Sequence, residues 1–205
     1  FTHFFVDDND PLAIGTATVW KIFEDSIGQF WLGTIRGLHR MDRSKGTFEK
    51  FIPNPNDSTA ISNTSVLSIY EDSKGRLWFG TDNGLNLFHA KTETFTTYNH
   101  ESGFVDSSIR SIVEDQQGIL WLGTNNGIIA FNPETKSVKN YTRHNGQKIG
   151  GFNTGAAIVT QSGELGFGGV NGLRILKPDK LSHNEHEPPI ILTDLAIFTE
   201  SIAVD

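Results

Sequence analysis

The sequence predicts an all-β fold: a β-propeller fragment of about four four-stranded antiparallel blades, followed by the opening strand of a second unit. Three observations predict it. First, one phrase is spelled three times. It reads Val19-Trp20-Lys21-Ile22-Phe23-Glu24-Asp25, Gly28-Gln29-Phe30-Trp31-Leu32-Gly33-Thr34 and Gly37-Leu38 in the first copy. It returns as Val66, Ile69, Glu71-Asp72, Gly75, Leu77-Trp78-Phe79-Gly80-Thr81 and Gly84-Leu85, and again as Ile109, Ile112, Glu114-Asp115, Gly118, Leu120-Trp121-Leu122-Gly123-Thr124 and Gly127-Ile128. Second, the aligned glycines Gly33, Gly80, Gly123 and Gly168 are spaced 47, 43 and 45 residues apart. Third, every unit is rich in β-branched and aromatic residues punctuated by turn chemistry. A β-rich period in the forties with one glycine-tryptophan signature per unit marks propeller blades.

Residues 1–181 make up the partial propeller. Phe4 to Val19 aligns with Phe51 to Val66 at a constant offset of 47, including Asp10 with Asp57 and Ile14 with Ile61. Residues 1–5 therefore read as the outer strand of a preceding blade. The blade repeats lie near 19–51, 66–98, 109–141 and 155–181. In the second, Val66–Tyr70 favours a strand, and Glu71-Asp72-Ser73-Lys74-Gly75 is hairpin-turn chemistry. Arg76–Thr81 is the next strand, and Asp82-Asn83-Gly84 is a tight turn whose Asn-Gly supplies positive φ. Leu85-Asn86-Leu87-Phe88 alternates as a half-buried strand does, and Thr94–Tyr98 closes the sheet. Thr47–Phe51 and Ser137–Tyr141 are the matching outer strands. The fourth copy keeps Gly163 and Asn171-Gly172-Leu173 but puts Gly166 where the others have tryptophan, as terminal repeats often do. A polar, proline-containing linker comes next at 182–189, and 190–205 begins a strand pattern outside the repeat.

Composition narrows the function classes. The chain has 205 residues, 37% hydrophobic and 20% charged, so it can bury a core. Its net charge of -7, with no basic run, argues against nucleic acid and against an anionic membrane surface as partners. The absence of cysteine excludes disulfides and thiolate metal sites. No apolar run approaches the roughly 18 residues that span a bilayer, so no direct membrane contact is expected from this segment. The chain does not begin with Met and lacks a basic leader, and it reads as a piece of something longer.

Recurrent residues are expected to be framework. Trp31, Trp78 and Trp121 hold one blade position and should pack between blades, each ring burying roughly 150–250 Å². Glu24-Asp25, Glu71-Asp72 and Glu114-Asp115 recur at one turn, where the aspartate should accept backbone N–H groups. They do not read as the facing carboxylates of a glycosidase. His183 and His186 have a spacing compatible with a weak chelate but no third ligand pattern, so no metal and no cofactor are expected. No nucleophile elbow, phosphate loop or dinucleotide fingerprint is present.

Residues that differ between copies are the candidates for ligand binding. The turns between second and third strands carry Ile35-Arg36, Asp82-Asn83, Asn125-Asn126 and Val170-Asn171. The residues leading into the innermost strands include Trp20 and Arg110, matched by Leu67 and Ala156 elsewhere. In a four-stranded antiparallel blade both sets emerge on the same face. Trp20, Arg36, Asp82, Asn83, Arg110, Asn126 and Asn171 are therefore the candidate site, suited to a polar ligand such as a sugar, with arginine available for a carboxylate or sulfate.

The repeat Val-x-x-Ile-x-Glu-Asp, Gly-x-Leu-Trp-x-Gly-Thr, Gly-Leu resembles the two-component regulator propeller repeat. The resemblance covers about 1–181, strongly in three copies and weakly in the fourth. Pro188-Pro189-Ile190-Ile191-Leu192-Thr193-Asp194-Leu195 looks like the first strand of the immunoglobulin-like β-sandwich domain that usually follows such propellers. The resemblance implies a periplasmic, non-enzymatic sensor segment of a bacterial membrane-bound regulator, with a histidine kinase or diguanylate cyclase as output and an oligosaccharide or other polar compound as ligand. It also implies about seven blades, so four leave two unpaired blade faces, and self-association, as a dimer or higher assembly, is expected at those open edges. The alternatives are a propeller enzyme, a polysaccharide lyase or hydrolase, and a scaffold that only contacts other proteins.

Overall fold

The computed structural model describes residues 1–7, 9–144, 147–181, 195–197 and 200–202, with backbone alone for 143–144 and the last two segments. Each of the first three repeats folds into one antiparallel sheet whose strands follow chain order from the inside outward. The first blade comprises β1 (Val19–Glu24), β2 (Phe30–Thr34), β3 (Gly37–Asp42) and β4 (Thr47–Phe51). The second comprises β5 (Val66–Glu71), β6 (Leu77–Thr81), β7 (Gly84–His89) and β8 (Thr94–Tyr98). The third comprises β9 (Ser111–Glu114), β10 (Leu120–Thr124), β11 (Gly127–Phe131) and β12 (Val138–Tyr141). A short hairpin, β13 (Arg143–His144) with β14 (Gln147–Lys148), leads to the fourth blade: β15 (Phe152–Val159), β16 (Leu165–Gly169) and β17 (Gly172–Leu176). The four innermost strands neighbour one another in sequence, β1 to β5 to β9 to β15, as blades arranged about one axis require.

The core lies between blades, where the indole sits. Trp31 and Leu38 of the first blade pack on Val66, Ile69 and Phe79 of the second. Trp78 and Leu85 pack on Ile109, Ile112 and Leu122 of the third. Trp121 and Ile128 pack on Phe152, Leu165 and Phe167 of the fourth. All three indoles are buried. The far face of the first blade gathers Ile14, Leu32 and Phe48, and the ring of Phe4 meets Phe48 edge-on, 5.5 Å between centroids.

Three expectations change. The fourth blade has three strands among the described residues, not four: after Leu176 the chain enters Lys177-Pro178, where proline has no N–H for a ladder, and turns through a 3-10 segment Pro178–Lys180. The blade also begins earlier than Gly155, at Phe152, with an irregular register between Phe152 and Ala157. Residues 1–5 form no strand, because no third strand stands beside them; one bridge joins Val6 to Ile14. The linker 182–189 and the start of an immunoglobulin-like domain at 190–205 fall outside the described residues, save for a backbone hairpin of β18 (Leu195–Ile197) and β19 (Glu200–Ile202).

Candidate functional site

The recurrent carboxylates turn out to be blade hardware. Asp25 Oδ1 accepts the backbone N–H of Ile27 and Gln29, and its Oδ2 accepts the Trp31 indole N–H at 2.8 Å. Asp72 does the same for Lys74, Arg76 and Trp78, and Asp115 for Gln117, Ile119 and Trp121. One carboxylate thus closes the first hairpin and satisfies a buried indole donor that would otherwise go unpaired. Burial pushes the Asp72 carboxyl up, but the Trp78 indole and Arg76 outweigh it and hold the group below the usual carboxylate range.

The neighbouring glutamate has a different task, which the repeat pattern alone did not disclose. Glu71 accepts both the backbone N–H and the hydroxyl of Ser26, in the preceding blade, at 2.7 and 2.5 Å. Glu114 takes Ser73 in the same way, at 2.7 Å each. The glutamate is a latch between blades. In the fourth copy the positions of Glu, Asp and Trp are held by Val159, Thr160 and Gly166, and the Ser position one blade earlier by Gln116, so latch and indole support disappear together. Thr160 keeps only the turn, accepting the Glu164 N–H at 3.0 Å.

The turns between second and third strands and the segments leading into the inner strands do meet on one face. Gly37 N–H donates to the Thr64 carbonyl and Gly84 N–H to that of Ser107, each bond crossing to the next blade. Thr34, Thr81 and Thr124 hold the turns: each hydroxyl donates to the carbonyl three residues on and accepts the N–H of Arg36, Asn83 or Asn126.

On that face several candidate residues brace the framework. Arg36 Nη1 donates to the Gly15 carbonyl at 3.5 Å, and Asn83 Nδ2 to that of Ser62 at 3.4 Å. These are the same bond in successive copies. Asp82 accepts the Ser108 hydroxyl at 2.7 Å, and Arg110 Nε donates to Asn125 Oδ1 at 2.6 Å. Trp20 is 50% exposed, at the register irregularity of β1. Asn126 is half-buried and Asn171 exposed. None of the seven lines any of five cavities found among the described residues.

One of those cavities lies on the axis. This open cavity of about 310 Å³ is lined by all four inner strands, with Lys21, Ser68 and Ser111 at one aligned position and Phe23, Tyr70, Val113 and Ile158 at another. None of these residues is among the candidates expected from the sequence. Their signal was available, because the aligned position changes from lysine to serine while the next residue stays isoleucine, at Ile22, Ile69 and Ile112. Among the described residues no group of three or more His, Cys, Asp and Glu is placed to hold a metal ion.

A second polar pair was also missed. His39 Nε2 accepts the Gly15 N–H at 3.2 Å, and Asn86 Oδ1 accepts the Ser62 N–H at 2.9 Å. His39 and Asn86 align, are fully buried, and pin the loop before each inner strand. Burial, against a carbonyl at Gly37 that favours the cation and with Lys50 adding to the effect of burial, pushes the His39 imidazole down to about 4.

Residues 60–83 and 103–126 match the family profile described as two component regulator propeller. Among solved structures, the extracellular domain of BT3049 from B. thetaiotaomicron, assigned to the hybrid two component systems, is 27% identical, with a TM-score of 0.77 over all of this chain and 28% of that one. The extracellular domain of BT4673 from the same organism is 23% identical over 82% of this chain and 22% of that one, TM-score 0.65. PorZ of Porphyromonas gingivalis, a surface component of the type-IX secretion system, shares the fold at 17% identity over 82% of this chain and 26% of its own, TM-score 0.56. No curated protein matches the sequence. The chain thus spans less than a third of the length of each of these structures.

Proposed function

We propose that this chain, in which residues 60–83 and 103–126 match the two component regulator propeller profile, is part of the extracytoplasmic sensor of a bacterial membrane-bound regulator, and that it takes a polar, polysaccharide-derived ligand. The observation that carries the reading is the similarity of the whole chain to the extracellular domain of BT3049. The turn face supports the ligand class: it gathers guanidinium, amide and carboxylate groups on backbone held rigid by the threonine turns, with a half-exposed indole at Trp20. Rigid polar groups beside an aromatic surface suit a hydroxylated, anionic ring. Binding there would bias the placement of the propeller relative to the domain C-terminal to it, as differential affinity for two arrangements requires.

The repeated carboxylates are committed to turns and latches, so they do not supply the acid/base pair that the enzymatic alternative requires. Calorimetry of the chain against a panel of acidic and neutral oligosaccharides tests the proposal. Binding heat with an acidic oligosaccharide, weakened at least tenfold in Arg36→Ala or Arg110→Ala, is the expected result. No heat across the panel would overturn it.

A further inference from the structure

The axial cavity has two levels. Lys21, Ser68 and Ser111 pair with Gly33, Gly80 and Gly123 of the second strands. They stand next to the threonines that hold the turn face, since Val19 pairs with Thr34 and Val66 with Thr81. Phe23, Tyr70 and Val113 pair with Trp31, Trp78 and Trp121, farther from that face. A polar level therefore lies toward the turn face and an apolar level beyond it. The volume of about 310 Å³ falls at the low end of small-molecule pockets.

Inner strands face a central channel whatever the number of blades. Within that channel the polar position is turned toward the following blade: the Ser68 hydroxyl donates to the Ile109 carbonyl of the third blade at 3.1 Å. For Lys21 the following blade is the second, and the two blades meet with the same geometry. A Cβ on Gly33 would lie 2.7 Å from the Val66 carbonyl oxygen, and one on Gly80 2.6 Å from that of Ile109. A serine reaches that neighbouring carbonyl. Lysine, with its four-carbon stem, lies half-buried along the cavity instead. Among the described residues that line the cavity, Lys21 alone is charged. Arg40, Arg43, Lys74 and Arg76 each meet a carboxylate, but among the described residues Lys21 forms no ion pair. The arginines of the turn face are already engaged, Arg36 with the Gly15 carbonyl and Arg110 with Asn125. At the level of Lys21, Ser111 also carries a buried hydroxyl without a partner among the described residues.

We infer, resting on the reading of the turn face as a ligand site, that the axial cavity receives the acidic group of that ligand. A carboxylate or sulfate on one sugar ring enters from the turn face, the Lys21 ammonium donates to it, and the ring lies against Phe23 and Tyr70. An ammonium beside apolar walls attracts an oxyanion more strongly than one in open water, because the local dielectric is low. An aromatic level beneath it suits the apolar face of a sugar ring. The turn face holds the rest of the oligosaccharide, and Lys21 sets the preference for an acidic one.

Calorimetry with matched pairs of sugars tests this: a uronic-acid oligosaccharide with its carboxyl-reduced form, and a sulfated oligosaccharide with its desulfated form. The variant is Lys21→Ser, which installs the residue that the second and third blades carry and should leave far-UV circular dichroism unchanged. It should weaken the acidic member of a pair roughly tenfold or more, as loss of a charge-assisted bond does, and leave the neutral member unchanged. Lys21→Arg should restore the acidic preference. A loss confined to the uronate pair, or to the sulfate pair, supports the inference and names the oxyanion. Heat with acidic sugars that Lys21→Ser leaves unaltered, or equal losses for acidic and neutral members, would overturn the inference and leave the turn-face reading standing. No heat with any sugar would overturn both.

Discussion

His39 shows how one side chain ties a loop to a blade and makes the tie depend on pH. Its imidazole is neutral when folded, because burial lowers its pKa from 6.5 to about 4, and the neutral ring accepts the Gly15 N–H. A depressed value in the folded state means that the unfolded chain takes up the proton first. The stabilisation is therefore complete above about pH 6.5 and is lost as pH falls toward 4. Urea denaturation between pH 7 and pH 4 should show stability falling in that window, and His39→Asn, which installs the residue the second blade already uses, should flatten the fall. An unchanged slope in the variant would remove this role. In the sequence His39 was one of seven histidines and belonged to no pattern. Its partner is a backbone N–H on a loop distant in sequence, and a single main-chain donor leaves no trace in residue type.

The strand-turn-strand element is where residue type and geometry agree most closely. The aspartate, the turn glycine and the tryptophan were each predictable by kind, since hairpins need acceptors and positive φ and blade interfaces need large rings. Their connection through one carboxylate was not, because it depends on the aspartate facing the indole across the hairpin. Gly80 illustrates a different constraint at this scale. A Cβ there would lie 2.6 Å from the Ile109 carbonyl of the next blade. Gly80→Ala should cost more than Gly28→Ala, up to about 3 kcal/mol in chemical denaturation, as forced overpacking does. Gly28→Ala, where a Cβ meets nothing within 4 Å but φ is +81°, should cost only the left-handed backbone term of about 1–2 kcal/mol. Equal losses at the two positions would argue that blade approach is not the constraint at Gly80.

Across the molecule, stability is expected to follow the number of complete interfaces each blade makes, as in other stacked repeats. The second and third blades are covered on both faces and latched by Glu71 and Glu114. Salt bridges from Lys74 and Arg76 to Glu134 add a tie between them, at 2.8 Å each. The fourth lacks the latch and the indole, and among the described residues it has no outer strand. Amide hydrogen exchange should therefore be slowest in β6, β7, β10 and β11 and fastest in β17. Uniform protection across the four blades would contradict this gradient.

Blade number, strand order and the buried place of the indoles could all be read from the chain, because they rest on local periodicity and on chemistry each copy must repeat. Ser68 and Tyr141 took their roles only once the sheets were stacked. A hydroxyl bonded to the next blade's carbonyl and a ring packed into the interface with the next blade join residues from different repeats, and such contacts depend on how sheets twist and approach rather than on which residues neighbour one another along the backbone.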